Sequence, residues 1–73
     1  MTVFTFSVTG MHCASCGMLI DETLEDEVPG VTRSETSVRK RRTVVTVAEG
    51  VAPEVLVAAI AGAGYQATLE AAS

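Results

Sequence analysis

Residues 2–30 read TVFTFSVTGMHCASCGMLIDETLEDEVPG, and the spacing of their apolar side chains changes once, from two to about four. Residues 2–8 are β-branched and aromatic and predict a strand, with Phe4, Phe6 and Val8 on one face and Val3 on the other. Thr9 and Gly10 end it and open a loop that carries cysteines. Over residues 14–27 the spacing predicts a helix: Ile20, Leu24 and Val28 recur every four residues, and Leu19 lies beside that stripe. Asp21, Glu22, Glu25, Asp26 and Glu27 occupy much of the remaining surface, which predicts a solvated acidic face. Pro29-Gly30 stops the helix.

Downstream, residues 31–38 and 43–48 predict two strands. Val44-Val45-Thr46-Val47 is strong strand composition, whereas Thr32 to Ser37 is polar, as an edge strand can be. Between them Arg39-Lys40-Arg41-Arg42 predicts a basic hairpin tip. Pro53 suits the first turn of a helix over 53–62, whose inner stripe is Leu56, Ala59, Ile60 and Ala63, and Gly62 and Gly64 help end it. Residues 65–69 predict a short last strand, and Ala71-Ala72-Ser73 are expected to fray. The order βαββαβ predicts an α+β fold, a ferredoxin-like sandwich with two helices on one face of a four-stranded antiparallel sheet. That topology gathers the cysteine loop, the basic tip and the Gly64-Tyr65 turn at one end.

The 73 residues suffice for one domain, expected to be ordered over roughly 2–70. Nine acids against five bases give a net charge of −4, which argues against nucleic-acid binding and fits a partner met by charge complementarity. No stretch approaches the roughly 18–20 apolar residues that span a bilayer, so no direct membrane insertion is expected. The first residues have no basic segment followed by a long apolar one, so no secretory signal is read there, and the expected compartment is the cytoplasm.

Cys13 and Cys16 are the two cysteines of the chain. Cys13 belongs to the loop and Cys16 to the first helical turn, a spacing that lets both sulfurs converge. A helix N-terminus, with its unpaired N–H groups and positive partial charge, favours thiolate over thiol. Thiolates are soft ligands that select Cu(I) among other metals, and two of them suit a low-coordinate ion, whereas zinc usually closes four ligands. Three other readings stand beside a metal clamp. A structural disulfide would close a very small loop and restrain the unfolded chain little. A thioredoxin-like redox pair would need a longer fold. Two buried, inert cysteines sit poorly with polar His12 and Ser15 as neighbours.

GMHCASC after an alternating strand, followed by a helix, PGV, a hairpin, a second helix and GAGY, resembles the heavy-metal-associated domain family over roughly residues 3–69. That family includes small bacterial copper chaperones and the N-terminal metal-binding domains of heavy-metal P-type ATPases. The resemblance implies Cu(I) held by Cys13 and Cys16, with Met11 packed inward to support the loop and Tyr65 near the metal. It equally admits Zn(II), Hg(II) or Cd(II). Three features depart from the family pattern. Gly17 follows the second cysteine and is expected to loosen the first helical turn. The segment from Cys16 to PGV is one residue longer than expected. Ser34 and Thr36 stand where an apolar residue is usual.

Other residues each carry two readings. His12 is a third ligand or a solvent-facing loop residue. Met18 is a thioether neighbour of the metal or an exposed apolar contact. Arg39, Lys40, Arg41 and Arg42 are a solvated turn or a docking patch for an acidic partner. Tyr65 shields the loop or is an ordinary half-buried strand residue. The function expected from all this is that of a Cu(I) chaperone, not an enzyme. It would pass Cu(I) by thiolate exchange to the metal-binding domain of a copper-transporting P-type ATPase, and a copper-bridged homodimer is a further expectation. The alternatives are an excised N-terminal domain of such an ATPase and a thiol–disulfide oxidoreductase using the same two cysteines.

Overall fold

The computed structural model describes residues 1–12 and 14–73, and its elements follow the expected order. They are β1 (Thr2–Thr9), α1 (Ala14–Glu27), β2 (Val31–Ser37), β3 (Arg42–Val47), α2 (Pro53–Gly62) and β4 (Gln66–Ala72). The strands form one sheet in the order β2-β3-β1-β4 with every pair antiparallel, and the two helices cover one face: the ferredoxin-like α+β fold.

The alternation in β1 decides which face is covered. Phe4, Phe6 and Val8 are buried, as are Val45 and Val47 of β3, Ile20 and Leu24 of α1, Val28 just beyond it, and Leu56 and Ile60 of α2. Phe4 stands opposite Val45 and Phe6 opposite Thr43, so the central strand pair supplies the floor of the core. The two phenyl rings pack tilted, with centroids 6.2 Å apart. The helical stripes read from the sequence are the ones that close over this floor. Leu19 is different: it is 45% exposed and faces away from the core.

Two connections position the end of the molecule that carries the cysteine loop. At the end of α2, the Gly64 N–H donates to the Ala61 carbonyl at 3.0 Å and the Tyr65 N–H to that of Ile60 at 3.2 Å. This is a Schellman closure with Gly64 at φ +101°, and it delivers Tyr65 beside the loop. At the hairpin, the Val8 N–H donates to the Arg41 carbonyl at 2.9 Å, which ties the tip to the end of β1.

The structure corrects three expectations. The turn of the hairpin is Val38 to Arg41, and Arg42 belongs to β3, where it pairs with Ser37 and Ser7. The Lys40 N–H donates to Ser37 Oγ and the Arg41 N–H to the Val38 carbonyl, so the reversal starts one residue earlier than the charge run suggests. The chain does not fray at Ala71: β4 continues to Ala72, and Ser73 and Val3 exchange two backbone hydrogen bonds of 2.8 Å. The register with β1 steps over Glu70, from Leu69 opposite Phe6 to Ala71 opposite Thr5. A bulge of this kind absorbs one extra residue without ending the pairing.

A third correction concerns the acidic helix. Asp21 is half-buried and faces β2. Ser34 Oγ and Thr36 Oγ1 each donate to its Oδ1 at 2.7 Å, and the Thr36 N–H donates to its Oδ2 at 3.3 Å. The Ser34 N–H donates to Glu25 Oε2 at 3.0 Å. Only Glu22, Asp26 and Glu27 of the five acids form a purely solvated face. The polar residues at 34 and 36 are therefore matched by carboxylates on the helix that covers them, and β2, an edge strand, has two outward N–H groups satisfied.

Candidate metal centre

Met11, His12, Cys16 and Tyr65 lie together at the end of the sheet where β1 runs out. Cys13 lies outside the described residues. Cys16 occupies the first turn of α1 and is half-buried. It is the first member of the every-fourth stripe that continues through Ile20 and Leu24, so the core anchors the helix turn that presents its sulfur. Met11 is half-buried and packs against the core cluster, while the neighbouring His12 is exposed.

Tyr65 is half-buried and packs against the same cluster. Its ring edge passes beside Gly10, where a Cβ would sit 3.6 Å from Tyr65 Cδ1. On the other side it lines an open cavity of about 390 Å³ together with Ser15, Cys16, Met18, Leu19 and Glu22. Met18 is 66% exposed there, which agrees with an apolar contact surface beside Cys16. The sequence reads Leu19 only as a neighbour of the core stripe and Glu22 only as part of the acidic face, and neither as part of the site. Their signal was available in Leu19, an apolar residue one step off the core stripe and one turn past the cysteine pair.

A second cavity, of about 240 Å³, lies on the other flank of the loop and is lined by Val8, Thr9, Gly10, Met11, His12 and Arg41. Arg39, Lys40, Arg41 and Arg42 are all exposed, and the bond from Val8 to Arg41 holds this basic tip against the base of the loop. Imidazole and guanidinium thus stand on one flank, and apolar Met18 and Leu19 with Glu22 on the other.

Gly17 does not behave as its helix propensity suggests. It is buried, and a Cβ there would meet Val38 Cγ2 at 3.0 Å and Thr36 Cγ2 at 3.3 Å. The missing side chain lets the first turn of α1 lie directly on the end of β2. Among the described residues, no group of three or more His, Cys, Asp and Glu is placed to hold a metal ion. Nor, among them, is any helix long and apolar enough to cross a membrane.

A small ferredoxin-like domain with a cysteine at the start of its first helix, at the end of its central strand, defines a class of metal-handling modules. The heavy-metal-associated domain profile matches residues 5–66, and the chain belongs to that family. A mercuric reductase of Shigella flexneri is 42% identical over 65 residues, which are 89% of this chain and 11% of that protein. The chain therefore spans about a ninth of the length of that relative. Among solved structures, a copper-binding domain from HMA7, a P-type ATPase, superposes with a TM-score of 0.94 at 28% identity, covering 100% of this chain and 99% of that one. The Hg(II) complex of the N-terminal domain of Tn501 mercuric reductase superposes with a TM-score of 0.82 at 41% identity, covering 90% and 94%.

Proposed function

We propose that this domain is a carrier of a soft, thiophilic metal ion, bound between the thiolates of Cys13 and Cys16 and passed to a partner by ligand exchange. The observation that carries the reading is Cys16, half-buried in the first turn of α1 beside an open cavity. A thiolate there has the helix N-terminus behind it and an approach for an incoming sulfur in front. Cu(I) is the proposed cargo, supported by the end-to-end likeness to the copper-binding domain of an ATPase. A partner thiolate adds to two-coordinate Cu(I), one Cu–S bond to this chain then breaks, and the ion moves without change of oxidation state. The partner is a metal-binding domain of a copper-transporting P-type ATPase, met on the cytoplasmic side, and copper shared between two copies would bridge a homodimer. No substrate bond is made or broken, so the domain is not itself an enzyme.

Hg(II) is the second reading, favoured by the higher identity to the mercuric reductase sequence and to its mercury-bound domain. Hg(II) and Cu(I) share the preference for two thiolates that this motif offers. An anaerobic titration of the reduced chain with Cu(I), and separately with Hg(II), each against a competing thiol or chelator, tests both. Near-stoichiometric binding that is lost in Cys13→Ser and Cys16→Ser supports the carrier reading, and the tighter competition identifies the cargo. Weak binding that the serine variants leave unchanged overturns it.

A further inference from the structure

Two of the three departures noted in the sequence, Gly17 and the pair Ser34 and Thr36, meet in one seam. Gly17, Asp21 and Glu25 recur every four residues on the flank of α1 that faces β2. Opposite them stand Val38, Thr36 and Ser34. Gly17 allows contact with Val38 and Thr36, Asp21 takes both hydroxyls and one backbone N–H, and Glu25 takes the other N–H. The adjacent stripe, Cys16, Ile20 and Leu24, rests on the core. Apolar packing is non-directional and tolerates small rotation and sliding of a helix over a sheet. Hydrogen bonds of 2.7 Å to one carboxylate do not, because they are short and directional.

We infer that Asp21 is a positioning residue: through Ser34 and Thr36 it fixes the rotation and height of α1 on β2, and with them the placement of Cys16. A positioning bond matters most at a site whose ligand geometry must be held within a fraction of an ångström. The consequence for metal binding rests on the carrier reading above; the consequence for Cys16 itself does not.

The test uses the full chain carrying Asp21→Asn, which keeps the size of the side chain and removes its charge and one acceptor. In a Cys13→Ser background Cys16 is the one thiol, and its alkylation by iodoacetamide is timed on the folded protein. The expected result is a rise of about threefold or more, as the first turn loosens, with circular dichroism unchanged. Val47→Ala, at the far end of the sheet, is the control for general destabilisation and leaves the rate unchanged. A rate for Asp21→Asn within about twofold of the parent, or an equal rise in Val47→Ala, overturns the inference. If Asp21→Asn does not fold, Ser34→Ala is read the same way. In the chain with both cysteines, Cu(I) affinity falls by about tenfold in Asp21→Asn, the loss typical when outer support of a ligand is removed. A parent chain that fails to bind Cu(I), with the alkylation difference intact, overturns Cu(I) as the cargo and leaves the positioning role standing.

Discussion

Gly10 lies against the ring of Tyr65, with space for a Cβ 3.6 Å from Cδ1 and a backbone at φ +94°. The contact itself is ordinary van der Waals distance, so room is not what requires glycine there. The backbone is: at this φ an L side chain crowds the carbonyl of the preceding residue. Gly10→Ala is expected to cost about 1–2 kcal/mol of stability. The urea midpoint should fall with an unchanged m-value. If the loop shifts to relieve the strain, Met11 and Tyr65 lose their shared support and metal affinity falls further than stability does. An unchanged midpoint would show that the loop adopts another conformation at no cost.

The chain of hydroxyls on β2 and β3 has a direction. Thr36 Oγ1 spends its proton on Asp21, so in its 3.0 Å contact with Thr43 the Thr43 hydroxyl must be the donor. Thr43 is fully buried. Thr43→Val removes a donor and leaves Thr36 still bonded to Asp21, so its effect on stability is expected to stay within about 1 kcal/mol. Thr36→Val strands the buried Thr43 hydroxyl and takes a bond from Asp21, and should cost about 1–3 kcal/mol. Paired denaturation curves decide it. Equal losses would mean that Thr43 finds another acceptor.

Much of this fold was legible in the sequence, because its signals are local. Both helices were predicted with the bounds the structure has, since each carries a clean apolar stripe and a proline or glycine stop. Local composition ends β4 too early, because Gln66 to Ala72 is alanine-rich and weak as a strand. What holds it is pairing with β1 and the Ser73–Val3 bonds, which no local pattern encodes. At the site, the placement of Met11, Cys16 and Tyr65 at one end follows from element order alone. The Asp21 seam was not readable. Five acids on one helix look alike until the fold decides which of them faces the polar edge strand.

Gly17 and Gly62 make a matched pair of helical glycines. In an open helix, Gly→Ala is stabilising by about 0.4–1 kcal/mol, because alanine has less freedom to lose on folding. A Cβ on Gly62 meets nothing within 4 Å, so Gly62→Ala should show a gain of this kind. At Gly17 the new Cβ would press on Val38 at 3.0 Å. Gly17→Ala should therefore be destabilising by about 1 kcal/mol or more. In a Val38→Ala background the same substitution should lose most of that penalty. Thermal unfolding of the four variants completes the cycle, and a stabilising Gly17→Ala in the parent chain would mean that β2 yields freely.

Arg39 and Lys40 stand at the summit of the hairpin, exposed and free of the left-handed backbone strain that Arg41 carries at φ +55°. The neighbouring Arg41 carbonyl binds Val8, so the patch keeps a fixed position relative to the loop. If the tip docks an acidic metal-binding domain, Arg39→Glu/Lys40→Glu should leave Cu(I) affinity unchanged, because neither side chain is a proposed ligand. The rate of Cu(I) transfer to that partner should fall by about tenfold at low ionic strength. Raising salt should close most of the gap between the two proteins, since exposed charges are screened within about 10 Å at 0.1 M. Stopped-flow transfer measured at several salt concentrations separates this from a general loss of structure, which salt would not repair. Equal transfer rates at every salt concentration would return the basic tip to an ordinary solvated turn.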